Sequence, residues 1–144
     1  MHIQHLLVAT LIAATPLAQA AKPIYITMDQ SVETLIDKAA VQAVWKEQLS
    51  DAVTLRLHKL YPTGKWGFLS QVEGGFTESK ICVVTARVAL VPTRTMGGLR
   101  FKPEKMSTTF DALPGATREQ CLALAKGKLA ESVKSVIGSM AEAK

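Results

Sequence analysis

Apolar residues recur at helical spacing near both ends of the chain, whereas in the middle they alternate with polar residues. From about residue 31 to residue 60 the apolar side chains fall three or four positions apart, which predicts helical structure. Ser31 is suited to cap its start, because a serine hydroxyl accepts a backbone N–H bond there. Ser50 and Asp51 can begin a second helix, so one long helix and a broken pair both fit. The apolar stripe consists of Val32, Leu35, Ile36, Ala39, Ala43, Leu49, Val53, Leu57 and Leu60.

The middle of the chain has the period-two pattern of β-strands. We predict three strands, at about residues 66–73, 80–91 and 99–110. Gly74 and Gly75 are expected in the turn between the first two strands, because paired glycines are typical of hairpin connections. Pro103 falls inside the third predicted strand, which indicates either an edge strand or two short pieces.

The second predicted strand is the most apolar segment of the three, and its two faces differ. Cys82, Val84 and Val88 share one face, while Arg87 lies on the other. We expect the face that carries Cys82 to be covered, because it is the more uniformly apolar one.

Helical spacing returns at about residues 117–140, where Thr117 is a suitable N-cap. The element order predicts an α+β fold. We expect a two-layer domain with an N-terminal helix (or helix pair), a three-stranded antiparallel sheet, and a C-terminal helix packed on one sheet face.

The first twenty residues have the pattern of a secretory signal peptide. An uncharged apolar run ends in Ala18-Gln19-Ala20, a small-x-small cleavage signature. Residues 1–20 are therefore predicted to be the signal and residues 21–144 a single exported domain, located in the periplasm or secreted. The segment has no Lys or Arg, so the alternative is an apolar helix that remains attached as an anchor.

Export makes a disulfide between the only two cysteines, Cys82 and Cys121, chemically permissible. Such a bridge follows if the C-terminal helix packs on the strand face that carries Cys82. The alternative is two separate buried thiols.

The net charge of +5 lies entirely in residues 21–144 and is concentrated in one segment. Residues 80–111 hold six basic and two acidic side chains. We predict that a helix-free sheet face and the adjoining loop, residues 93–98, use these groups to contact a partner with an acidic surface. The alternative is that the charges only keep the surface soluble. The predicted partner-binding residues are Arg87, Arg94, Arg100 and Lys102.

Motifs for other chemistry are missing from the sequence. With a single histidine after residue 20, His58, no paired metal-ligand or Ser-His motif forms, so we predict no metal, no cofactor and no catalytic residue. His58 is expected to face solvent. Aromatic residues are only 6% of the chain, which makes nucleic acid a poor candidate partner.

These observations favour a non-enzymatic, exported protein-interaction domain, such as an inhibitor, immunity factor or accessory subunit. A first alternative is a periplasmic carrier that holds an apolar or anionic small ligand between helices and sheet. A second is a cell-envelope hydrolase, which requires carboxylates such as Glu73 and Glu78 to converge in a cleft.

Overall fold

A computed structural model describes residues 21–94 and 97–142, arranged as four strands and three helices. The predicted signal segment, residues 1–20, lies outside the described residues. In chain order the elements are β1 (Ile26–Asp29), α1 (Lys38–Gln48), α2 (Asp51–His58), β2 (Trp66–Phe76), β3 (Ile81–Pro92), β4 (Lys105–Pro114) and α3 (Arg118–Ala141).

The sheet has the strand order β1-β2-β3-β4. Strands β2, β3 and β4 form the predicted antiparallel meander. The prediction of three strands was nevertheless wrong, because β1 adds a fourth strand that pairs with β2 in parallel. Ile26, Thr27, Met28 and Asp29 do alternate between apolar and polar residues, but a strand of four residues is at the lower limit of length for this signal, and it was missed.

The helices cover one face of the sheet, which we call the inner face. Val84, Ala86 and Val88 of β3 have no exposed surface there. α3 packs on β3 and β4 through a continuous apolar stripe, because residues three and four apart share one side of a helix. Its buried apolar residues include Ala125, Leu129, Val133, Val136 and Met140. The two-layer α+β arrangement is therefore confirmed.

The N-terminal helical region is a pair of helices, one of the two alternatives above. Asp37 caps α1 by accepting the N–H of Ala40 at 2.7 Å, and Ser50 caps α2. The predicted cap, Ser31, has another role: its hydroxyl accepts the N–H of Val72 at 2.9 Å and so ties this segment to β2. The apolar stripe was also misassigned in part, since Val32, Ala39, Ala43 and Leu60 are exposed.

The predicted disulfide between Cys82 and Cys121 is present, with the two Cα atoms 5.7 Å apart. It joins the start of β3 to the first turn of α3, so the alternative of two separate thiols is wrong. Thr117 caps α3 as predicted, in a capping box with Gln120. Closing a loop between residues 39 positions apart stabilises the fold by about 4 kcal/mol in the chain-entropy model.

Two predicted boundaries in the sheet were wrong. Gly74 and Gly75 lie inside β2, which continues to Phe76, and the turn follows at residues 77–80. β4 begins at Lys105 instead of residue 99, so a loop connects β3 to β4. We call its described residues, 93, 94 and 97–104, the basic loop; residues 95 and 96 of the predicted loop lie outside the described residues.

Candidate functional site

The sheet face opposite the helices, here called the outer face, is open within the described part of the chain. The strand register places Met28, Leu69, Ala89 and Met106 side by side across all four strands, and we call this set the apolar row. The accessible side chains of the row are those at its two ends, with Met28 38% and Met106 56% exposed, whereas Leu69 is half-buried and Ala89 is buried. A sheet surface thus presents large apolar groups to solvent.

A polar row lies directly beside the apolar row. It consists of Gln71, Arg87 and Thr108, which are paired across β2, β3 and β4. Arg87 occupies the middle of the row and is exposed. An arginine among apolar neighbours can recognise a carboxylate by two parallel hydrogen bonds while its stem contacts apolar groups.

The basic loop covers one end of the outer face. Leu99 packs over Gly67, where a Cβ would lie 2.6 Å from the Leu99 side chain. Phe101, 68% exposed, stands beside the apolar row and forms one wall of a cavity of about 250 Å³. The cavity is lined by Gln30, Leu69, Gln71, Arg87, Ala89 and Phe101.

The predicted contact residues occupy two neighbouring places. Arg87 lies on the outer face, whereas Arg94, Arg100 and Lys102 lie exposed in the basic loop at its end. Backbone hydrogen bonds hold the loop: the N–H of Arg94 donates to Gly98 at 3.0 Å and that of Arg100 to Pro92 at 2.9 Å. Within the described residues, none of the four basic groups forms an ion pair.

Sequence reasoning missed the apolar part of this surface. Met106 and Phe110 lie four positions apart in β4, on the same face as Thr108, and threonine and aromatic residues are typical of strands. The predicted third strand, residues 99–110, included both residues, but they were not assigned to a face. Phe110, 63% exposed, extends the accessible apolar area along the edge of the sheet.

A larger cavity, of about 650 Å³, lies at the other end of the molecule, between β2 and the start of α3. Leu35, Phe76 and Leu122 supply its apolar walls. Its charged groups are mostly acidic, three carboxylates against Arg118. Those carboxylates belong to Glu33, Asp37 and Glu119.

Two of these carboxylates already have partners in the protein. Asp37 caps α1, as described above. Glu119 accepts hydrogen bonds from its own backbone N–H and from the Thr117 hydroxyl, and these bonds hold the pKa of Glu119 below its usual range. Glu33 therefore supplies the acidic group of the cavity that is not committed to a helix start.

The side chains considered for catalysis are dispersed. Glu73 is exposed and accepts a hydrogen bond from Gln71 at 2.7 Å, and Glu78 is exposed in the turn after β2. Neither lines the two cavities described above. His58 is half-buried rather than exposed, and its Nδ1 accepts the N–H of Thr63 at 3.1 Å, which stabilises the turn after α2.

Two other kinds of site are absent from the described residues. No group of three or more His, Cys, Asp or Glu side chains there is placed to hold a metal ion. None of the helices in residues 21–94 and 97–142 combines the length and apolar character needed to cross a bilayer.

Comparison with known proteins adds no assignment. No protein-family model matches the chain, and no curated protein shows significant sequence similarity to it.

Proposed function

We propose that this protein binds a partner protein through the outer face of its sheet, with the apolar row as the central contact and the basic groups as the rim. The observation that carries the proposal is the cavity between Arg87 and Phe101 beside the apolar row. At about 250 Å³ it is smaller than the roughly 300–1,000 Å³ typical of sites for small organic ligands. It suits a single side chain of a partner.

The surroundings of the cavity define the chemistry of that partner. Large apolar side chains that are exposed together on one surface are typical of interaction sites, because monomeric proteins rarely leave large apolar patches in contact with water. Arg87 and the three basic residues of the loop favour a partner with carboxylates around an apolar centre. We infer an exported setting for this interaction, since disulfides persist in oxidising compartments.

A capture experiment with matched variants tests this proposal. The tagged protein is expressed from its full coding sequence in its host, and co-purified proteins are quantified with increasing salt. Charge reversal of Arg87, Arg94 and Arg100 together is expected to abolish capture of a stoichiometric partner. Wild-type binding should weaken with salt, because rim charges are screened.

The matched control reverses three exposed basic residues on the helices, Lys46, Arg56 and Lys134, which changes the net charge by the same amount. Capture should survive in that variant. Equal loss in both variants would show that only net charge matters, and unchanged capture after reversal of the outer-face arginines would refute the assignment of the surface.

A second candidate function, binding of a small ligand, is favoured by the 650 Å³ cavity. The centre of the space between helices and sheet is filled, since Phe68, Leu129 and Met140 have no exposed surface. Among the described residues, cavities lie only at its margins, and the one at the start of α3 is larger than the one of about 440 Å³ between β1 and α1. We therefore propose the cavity at the start of α3 as the place for any carried ligand. Its excess of carboxylates favours an apolar ligand with a cationic group over an anionic one.

Native mass spectrometry of protein purified from its own host distinguishes the two functions. A carrier should show a bound mass that is lost when Leu122 is replaced by Arg, because the new side chain occupies the cavity wall. Protein without bound mass, together with capture that depends on the outer-face arginines, would favour partner binding.

A further inference from the structure

The free edge of the sheet at β4 offers a second interaction surface, which adjoins the proposed partner surface at Met106 and Thr108. Within the described residues β4 pairs with β3 alone. The N–H of Gly115 donates to the carbonyl of Lys80, which lies opposite it in the register. Because antiparallel strands direct every second residue to the same neighbour, the even-numbered residues direct their backbone groups to the free edge. These are Met106, Thr108, Phe110 and Ala112.

This edge has little of the protection that exposed strand edges usually carry. Natural edges are blunted by prolines, lysines or bulges, because an unprotected edge is a template for pairing. Pro103 precedes β4 and Pro114 ends it, but no proline lies between them. The only lysine of the strand is Lys105, at its first position. The segment between the prolines is therefore free to accept another strand.

The sequence of β4 is complementary to itself in one antiparallel register. With a two-fold axis at Thr108, Met106 lies opposite Phe110 of the second copy on the outer face. On the inner face, Lys105 lies opposite Asp111 of the second copy. A sulfur–aromatic contact and an opposite-charge pair each stabilise neighbouring strands. By symmetry each of these pairs forms twice.

Neighbouring registers lose this complementarity. With the axis at Ser107, Phe110 faces Glu104 and Lys105 faces Thr109. With the axis at Thr109, Met106 faces Ala112 and Lys105 faces Leu113. The two outer faces lie on the same side of a continuous sheet only when the residue numbers of each facing pair add up to an even number, since side chains alternate along a strand. Of these registers, only the one with its axis at Thr108 places Met106 opposite Phe110 and Lys105 opposite Asp111.

We propose that two copies of this chain associate by antiparallel pairing of their β4 strands around Thr108. The product is a continuous eight-stranded sheet in which the two outer faces adjoin and all helices lie on the other side. Pairing one strand with another buries a small interface, below the roughly 1,200 Å² at the low end for stable complexes. The dimer is therefore weak and forms as protein concentration rises. This inference does not rest on the proposed partner binding.

Sedimentation of the purified protein, expressed from its full coding sequence, tests the dimer at physiological salt. The mass should rise from monomer to dimer with concentration. Thr108→Pro should weaken association at least tenfold, because it removes a backbone N–H that points to the edge and takes no part in the β3 ladder. Thr108→Ala keeps that N–H and should associate like the wild type.

A charge-exchange experiment tests the register. Lys105→Glu alone and Asp111→Lys alone should each weaken association roughly tenfold, since each places two like-charge pairs across the interface. A mixture of the two variants should form a heterodimer with the affinity of the wild type, because both pairs are then opposite in sign. Lys128, which contacts Asp111 at 3.4 Å, retains Glu131 as a partner in the Asp111→Lys variant.

Three outcomes would overturn the proposal. One is a monomeric mass at all concentrations up to about 1 mM. A dissociation constant above that value corresponds to a very small binding free energy. Another is a dimer that Thr108→Pro leaves intact while thermal unfolding shows a folded protein. The third is failure of the mixed variants to associate, which would exclude this register. Loss of partner capture in the outer-face arginine variant has no bearing on these outcomes.

Discussion

Alanine at Gly74 or at Gly75 adds the same methyl group in two different surroundings. Both glycines lie in β2 with positive φ, +132° at Gly74 and +140° at Gly75. A Cβ at Gly74 would lie 1.9 Å from the carbonyl oxygen of Val83, whereas ordinary contacts are 3.4–4 Å. A Cβ at Gly75 would have no atom within 4 Å. The pair therefore separates backbone strain from steric overlap.

The two substitutions share the cost of the backbone conformation, about 1–3 kcal/mol for a residue with a side chain. Only Gly74→Ala must also push β2 away from β3, because the overlapping atom belongs to the backbone of the neighbouring strand. Overpacking of this kind costs about 1–3 kcal/mol more. We expect Gly74→Ala to lower the free energy of unfolding by about 2 kcal/mol more than Gly75→Ala.

Chemical and thermal unfolding of the two variants measure this difference. For a domain of this size 1 kcal/mol corresponds to a Tm change of about 4 °C, so the two Tm values should differ by about 8 °C. Equal destabilisation would refute the reasoning, because it would mean that the strands relax around the new methyl group without cost. Greater destabilisation at Gly75 would contradict the described course of β2.

Three further substitutions test the disulfide, a buried tyrosine and the contact between α3 and the sheet. Replacing Cys82 and Cys121 together by Ala should lower the free energy of unfolding by about 4 kcal/mol, and a denaturant midpoint unchanged from that of the oxidised protein would contradict this value. Burial raises the pKa of Tyr25 to about 12, so the folded protein holds this proton more tightly than the unfolded chain. The associated stability is present below pH 10 and is lost between about pH 10 and pH 12. Absorbance titration should show a late tyrosine ionisation that Tyr25→Phe removes, and its persistence would assign it to another group. Ser132→Ala should cost about 1–2 kcal/mol in urea unfolding, because the buried hydroxyl donates to Ala86 at 3.0 Å. The exposed neighbour Ser135→Ala is the control and should change stability little.

Local patterns in the sequence predicted much of the fold. Residue type and spacing alone predicted that Thr117 caps α3 and that Cys82 and Arg87 lie on opposite faces of β3. Both features are present. The placement of Arg87 on an uncovered face is likewise a consequence of alternation, once the apolar face of β3 is covered.

The same local patterns predicted only part of the candidate surface. Its basic residues are visible as an excess of charge in residues 80–111. The apolar row is different, because Met28, Leu69 and Met106 come from distant parts of the chain and meet only through strand register. Register depends on long-range pairing, which no local window contains.

The sequence by itself determined the elements that short-range physics controls, which are the amphipathic helices at both ends and the alternating strands between them. Tertiary structure decided the rest. β1 is held as a strand because β2 offers a parallel edge to this four-residue segment, and Gly74 is needed because β3 approaches closely there. These features depend on distances between segments far apart in the chain, so their physical cause exists only in the folded protein.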